Sequence, residues 1–267
     1  PASATYVGNE VCQACHAPQF EKFSTTLMGK IFLHNPRNET ESRACENCHG
    51  PGSAHVAAGG GKGVGGMITF RKDSGESAEV QNEPCLGCHQ RGVQSYWQAS
   101  THAARGLSCV NCHTLMEKTS GKQMAKLTEV TPFFINRAEI EVCGQCHLQR
   151  KAQLLRSSHM PLREGKMVCS DCHNPHGSPN PALLRQRSVN ENCYTCHAER
   201  RGPFLWEHPP VLENCSNCHE PHGSVNDRLL KVSDPRLCTQ CHIAVRHPGT
   251  PRPLKQLSPT VGPSVFA

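Results

Sequence analysis

Apolar residues never gather into long runs along this chain. Short groups such as Tyr96-Trp97, Leu183-Leu184, Phe204-Leu205-Trp206 and Leu229-Leu230 are separated by polar, glycine and proline positions. No stretch of eighteen consecutive apolar residues occurs, so no transmembrane helix is predicted. The pattern predicts sparse secondary structure made of short helices. The clearest is a helix over residues 9–25, with Asn9 placed to cap it. Residues 174–181 and His208-Pro209-Pro210 read as turns, and the glycine-rich residues 59–66 as a flexible loop. Residues 248–267 read as an extended, Pro-rich tail.

Composition sharpens this picture. The 267 residues include 18 cysteines, 22 glycines and 20 prolines, while aromatics are only 5%. Much of the 36% hydrophobic fraction is cysteine itself, which leaves too little aliphatic and aromatic side chain for an ordinary core. Something other than side chains must fill the interior.

Cysteine spacing says what. The pattern Cys-x-x-Cys-His occurs nine times and uses every cysteine in the chain. The pairs are Cys12 and Cys15, Cys45 and Cys48, Cys85 and Cys88, Cys109 and Cys112, Cys143 and Cys146, Cys169 and Cys172, Cys193 and Cys196, Cys215 and Cys218, and Cys238 and Cys241. They are followed by His16, His49, His89, His113, His147, His173, His197, His219 and His242. This is the attachment signature of haem c: two thiols add to the vinyl groups, and the adjacent imidazole becomes the proximal iron ligand. Zinc sites and disulfide scaffolds have no reason to place His after every second cysteine. The expected cofactor is therefore nine haem c groups.

Eight histidines lie outside the motifs, close to the number of distal positions to be filled. His55, His102, His159, His176, His208, His222 and His247 are the candidate distal ligands, with His34 a weaker one. One iron then lacks a histidine. Met28 either supplies its thioether to that iron, raising its potential, or packs as an apolar side chain. His176 and His222 lie three residues after a proximal His, too short a tether to reach round the same ring. They are expected to ligate a neighbouring haem. The aromatic groups at 96–97 and 204–206 are expected to pack on porphyrin edges.

Successive motifs are 33, 40, 24, 34, 26, 24, 22 and 23 residues apart, so the last five are dense. Within them lies a repeat. Cys169-Ser170-Asp171-Cys172-His173-Asn174-Pro175-His176-Gly177-Ser178 matches Cys215-Ser216-Asn217-Cys218-His219-Glu220-Pro221-His222-Gly223-Ser224, and each copy leads to a Leu-Leu pair. A repeat of this size suggests units that pack on one another. The organisation expected is one nine-haem domain, residues 1–250, containing the repeat 169–214 and 215–247, with a tail at 251–267.

The formal charge of +6 invites a nucleic-acid reading, which haem removes. Nine pairs of propionates contribute about −18 against about +9 from ferric iron, taking the oxidised holoprotein to about −3. No nucleic acid is expected as a partner. Residues 1–5 show no basic segment leading into an apolar one, so an exported form is expected to have shed its signal peptide.

Several stretches carry a family resemblance: Cys45 to His55 with its Gly-Pro-Gly-Ser-Ala-His ending, Ser100-Thr101-His102 through Gly106, Cys143 to His147, residues 157–166, and Arg201 to Pro209. On these the chain resembles the MtrA/DmsE-type periplasmic multihaem cytochromes of outer-membrane porin–cytochrome conduits, over roughly residues 5–248. The resemblance implies an elongated haem wire with little regular structure. It also implies a β-barrel porin as partner, electron exchange with periplasmic carriers, and passage of electrons to or from an extracellular multihaem cytochrome or a mineral. Two departures stand out: nine haems where the family has ten, and Met28 where the family has a histidine.

The fold class expected is thus a multihaem cytochrome c, mostly coil with short α-helices and little or no β, in which haems replace a hydrophobic core. Electron transfer is the expected function. A subunit of an extracellular cytochrome filament, and a multihaem oxidoreductase with one open iron, are the alternatives.

Overall fold

The structure is a computed structural model that describes residues 3–71, 74–113, 115–116 and 139–242. Among them, helices are short and no strand forms; three isolated antiparallel bridges are the extended pairing present. No helix among the described residues is long and apolar enough to cross a membrane. Two compact units emerge: residues 3–151 with 161–201, and residues 152–160 with 202–242.

The first unit begins with α1 (Asn9–Ser24), α2 (Leu27–His34), α3 (Glu39–Ser42), α4 (Cys45–His49), α5 (Ser53–Ala57) and α6 (Ala78–Leu86). Side-chain caps start several of them. Thr26 accepts from Gly29 N, Asn38 from Glu41 N and Ser77 from Val80 N, each satisfying an orphan first-turn amide. The apolar stripe of α2 meets α1, and Phe23, Phe32 and Ala44 form a small core flanked by Met28, Ile31 and Leu33. Few other apolar side chains are buried among the described residues: Val142, Leu154 and Leu162. The protein chain alone therefore makes little core, as its composition predicts.

The predicted helix at 9–25 is present, but Asn9 does not cap it. Gly8 is the cap residue, and the Asn9 side chain instead reaches 33–36 residues ahead to Ser42 O and Cys45 N. Two other expectations are revised. His208-Pro209-Pro210 opens a helix, Pro209–Glu213, because proline in the first turn needs no amide donor and already has helical φ. The glycine-rich residues 59–66 are not a free loop: they fold back on α5, where Val64 O receives a hydrogen bond from His55 Nδ1 at 3.1 Å. Residues 174–181 do form a turn-rich segment. His247 and the Pro-rich tail lie outside the described residues.

The two copies of the repeat share one design. In the first unit, His173 bridges Leu184, Asn174 N donates to Leu183 O, and Arg185 N donates to Cys172 O. In the second unit, His219 bridges Leu230, Glu220 N donates to Leu229 O, and Lys231 N donates to Cys218 O. Ala182 and Leu183 (φ 53 and 58), like Arg228 and Leu229 (φ 56 and 60), take the left-handed conformation that non-glycine residues avoid. Strain of that kind persists where surrounding bonds over-determine it and marks a constrained site.

Candidate haem sites

That strained turn has a purpose visible in its carbonyls. Ala182 O and Arg228 O each lie 2.8 Å from the Nδ1 of a motif histidine, His173 and His219. The same arrangement recurs elsewhere with other acceptors. His49 Nδ1 meets Ile68 O at 2.8 Å, His102 Nδ1 meets Pro175 O at 2.7 Å, and His159 Nδ1 meets Arg156 O at 2.7 Å. A carbonyl only accepts, so in each case Nδ1 carries the proton and Nε2 is left with its lone pair free for a metal. The imidazoles are foreseen from sequence, but these acceptors are not. The Leu-Leu pair shared by both repeat copies is the available signal for two of them.

Four motif histidines stand opposite four of the histidines outside the motifs. The ring centres are 6.3 Å apart for His16 and His55, 6.2 Å for His102 and His147, 6.0 Å for His113 and His176, and 6.2 Å for His208 and His242. Three of these pairs are near-parallel, at 23°, 11° and 20°. An iron with an imidazole on each side, at about 2 Å per bond and about 1.1 Å from nitrogen to ring centre, sets the centres about 6.2 Å apart. The residues present therefore fit a bis-histidine haem. His176 faces His113, the histidine of the fourth motif, and not His173 beside it in sequence.

Burial favours the ligating, neutral form of these rings. His113 is pulled down to about 4, first by desolvation and then by the neighbouring His176 and His89. Burial likewise lowers His49 and His176. None of the eighteen cysteines is bridged to another, so all thiols are available for thioether formation.

The attachment thiols differ in exposure. Cys15, Cys88, Cys146, Cys196, Cys238 and Cys241 are exposed on the protein chain, whereas the other twelve are half-buried. The difference is regular. In motifs one, three, five, seven and nine the second cysteine (Cys15, Cys88, Cys146, Cys196 and Cys241) faces outward, while both cysteines of every even motif are half-buried. His16, His89, His147 and His197, which follow four of these exposed cysteines, are exposed as well. The physical reason is the shortage of apolar side chain: the protein does not cover these groups, and a porphyrin bonded to them would. Thioether formation needs a reachable sulfur, so exposure fits the attachment chemistry.

Met28 is half-buried and packed against the Phe23, Phe32 and Ala44 cluster, while His34 is exposed at the end of α2. Phe70 lies edge-on to His49 at 5.1 Å, and Trp97 lies 6.4 Å from His176. Leu205 and Trp206 are 88% and 86% exposed to anything beyond the protein chain.

Comparison with known proteins agrees with this geometry. Residues 159–202 and 208–247 match a doubled Cys-x-x-Cys-His motif family, and residues 45–133 match a family of NrfB-like c-type cytochromes. The chain is 28% identical to the cytochrome c-type protein NrfB of Haemophilus influenzae over 166 residues, 54% of this chain and 68% of that one. It is 43% identical to the multiheme cytochrome MtrA of Shewanella baltica over 244 residues, 90% of this chain and 68% of that protein. The fixed positions of the attachment motif make up only about a tenth of the chain, so a shared motif alone does not produce identity at that level. The chain belongs to the MtrA family of multihaem c-type cytochromes, proteins that bind haem c and transfer electrons.

Proposed function

We propose that this cytochrome holds nine haems, one at each attachment motif, within a single domain, and carries electrons across an outer membrane inside a β-barrel porin. The observation that carries the reading is the set of four imidazole pairs spaced for an intervening iron. When bound, haem supplies the one-electron ferric–ferrous couple. The chain's own residues do the rest. Paired thiols would fix each ring in place, Nδ1–carbonyl bonds would aim the Nε2 of His49, His55, His102, His159, His173 and His219, and an imidazole on either side would close an iron to small molecules.

On this reading the protein is a carrier and not a catalyst. His159, His222, His247, His34 and Met28 complete the remaining five distal positions. The porin, the periplasmic donors and an extracellular cytochrome as acceptor rest on similarity to MtrA along nine-tenths of the chain. Export to the periplasm, with association to the outer membrane, is part of the same proposal.

Two experiments test it. Reduction with dithionite followed by carbon monoxide should leave the visible spectrum unchanged if every iron has two firm protein ligands. A carbonyl adduct at one haem in nine would revive the oxidoreductase alternative. For the conduit, liposomes enclosing a redox dye should respond to an external reductant only when cytochrome and porin are both inserted. A response no faster than that of the porin alone would sink the conduit reading.

A further inference from the structure

Asn9 is not the only side chain that leaves its own motif to hold the next. Asn82 lies inside α6, three residues before Cys85, as Asn9 lies three before Cys12. Its Oδ1 accepts from Cys109 N at 2.7 Å and its Nδ2 donates to Leu107 O at 3.3 Å. Asn9 does the same at the second motif, with Oδ1 accepting from Cys45 N at 3.2 Å and Nδ2 donating to Ser42 O at 3.3 Å. At the fifth motif the role passes to Glu139, four residues before Cys143, whose carboxylate accepts from Ser170 N at 3.0 Å. Asn82 and Glu139 are buried. These are not local caps. Each bond spans 25 to 36 residues, and each ends at or beside the first turn of the following motif.

A second observation shows what the bonds bring together. In the first three odd motifs, the first cysteine touches the first cysteine of the next: Cys12 with Cys45, Cys85 with Cys109, and Cys143 with Cys169. In the haem-loaded protein those sulfurs become thioethers on the porphyrin rim. Two haems attached through neighbouring sulfurs would have their rims close together, which favours electron exchange between them.

We infer that Asn9, Asn82 and Glu139 are positioning residues that lock motif one to two, three to four, and five to six, so that the haems are built as coupled pairs and not as an evenly spaced row. This rests on the reading that each motif carries a haem. A clamp made of one acceptor and one donor fixes both the distance and the rotation of the second motif, the kind of supporting contact that preorganises a site. The sequence marks two of the three: Asn-Glu precedes the first cysteine at residues 9–10 and 82–83, as it also does at 190–191, whereas Glu139 carries no such signature. Only the contacts reveal what the asparagine does.

The test uses the full chain, matured with haem. Ring–ring coupling is read from the two-signed Soret band in circular dichroism, and haem content from intact mass. Asn82→Ala should keep nine haems and a low-spin spectrum, yet lose part of the coupled signal. Asn82→Asp keeps the acceptor for Cys109 N and loses the donor to Leu107 O, so it should fall between wild type and Asn82→Ala. It also decides the matter if Asn82→Ala fails to load. Asn9→Ala together with Asn82→Ala should remove more of it than either change alone. An unchanged Soret couplet in variants that carry nine haems would overturn the clamp, as would a wild-type protein with no couplet. A wild-type mass short of nine haems would instead count against one haem per motif, and the two failures are thereby told apart.

Discussion

The two copies of the repeat are nearly the same object set against different neighbours. The bonds that close each copy recur in the other, down to Ser178 Oγ donating to Leu184 O and Ser224 Oγ donating to Leu230 O, both at 2.5 Å. The difference lies in the docking. In the first unit, Asn174 Nδ2 donates to Val93 O, and His102 Nδ1 donates to Pro175 O. In the second, Ser158 and Ser224 exchange backbone bonds at 3.0 and 2.7 Å, Leu229 N donates to Ser158 Oγ, and Arg156 Nη1 donates to Gly223 O. Each upstream segment delivers a histidine, His102 in one case and His159 in the other. The lesson is that a repeat copy is a fixed socket, and the segment that fills it decides which distant histidine is brought in.

Removing a ligand should break this comparison most severely. His176→Ala should open the haem of the fourth motif, so that one haem turns high-spin and takes up carbon monoxide. That haem should be the one lost when Cys109 and Cys112 are both replaced by Ala. If it is instead the haem attached through Cys169 and Cys172, the socket holds its own iron and the pairing is wrong.

Closing the socket should come next. A Cβ on Gly223 would collide with Gln153 O, and one on Gly177 with Tyr96 O, where φ is +148° and +120° respectively. Gly223→Ala and Gly177→Ala should each destabilise their own unit by about 3 kcal/mol. Thermal melts followed at the Soret band measure this, and a loss of less than about 0.5 kcal/mol, the scatter of an ordinary surface change, would refute the close approach.

A milder change separates the copies. Ser158→Ala removes the acceptor for Leu229 N and should cost about 1 kcal/mol in the second unit alone. Amide exchange should quicken at Leu229 while its counterpart Leu183 keeps its protection; equal changes in both would argue against independent sockets.

The smallest effect lies outside both copies. Arg37 donates to the Glu41 carboxylate at 2.6 and 2.9 Å, and its hydrogen bonds hold that carboxyl below its ordinary value of 4.5. Because the folded value is the lower one, the stabilisation is complete above the unfolded value and fades as pH falls through the folded one. Acidification below pH 4.5 should therefore loosen the link between α2 and α3 in wild type. Glu41→Gln should remove that pH dependence, as followed by amide exchange at residues 37–41.

The chemistry was legible from sequence because attachment is local: five consecutive residues fix a haem, and nine repetitions leave no other reading. The fold class followed from the shortage of apolar side chains. Boundaries were read well where local rules act alone, as at α1, predicted to end at residue 25 and ending at Ser24. They failed where a long-range contact overrode the local one. Asn9 looks like a cap and serves a motif 36 residues away. The glycines at 59–66 look free and are gathered by His55. The double proline after His208 reads as a break, although proline in a first turn is also how a helix begins. Nor does the motif say which of its two thiols faces outward. Cys15 and Cys48 hold the same place in identical patterns, yet Cys15 is exposed and Cys48 half-buried. No sequence rule states that His176 lies against His113 or that His102 lies against His147, since partner choice belongs to tertiary packing.

Facing histidines also have a mechanical consequence. His16 and His55 are 39 residues apart, His102 and His147 are 45, His113 and His176 are 63, and His208 and His242 are 34. An iron gripped from both sides closes a loop of that length, as a disulfide would. By the chain-entropy relation, closing loops of this size restricts the unfolded chain by about 4 kcal/mol each. The loops ending at His147 and His176 overlap, so their contributions do not simply add. With so few apolar side chains buried among the described residues, haems held in this way would double as staples, and stripping them should unfold the protein as surely as it silences it.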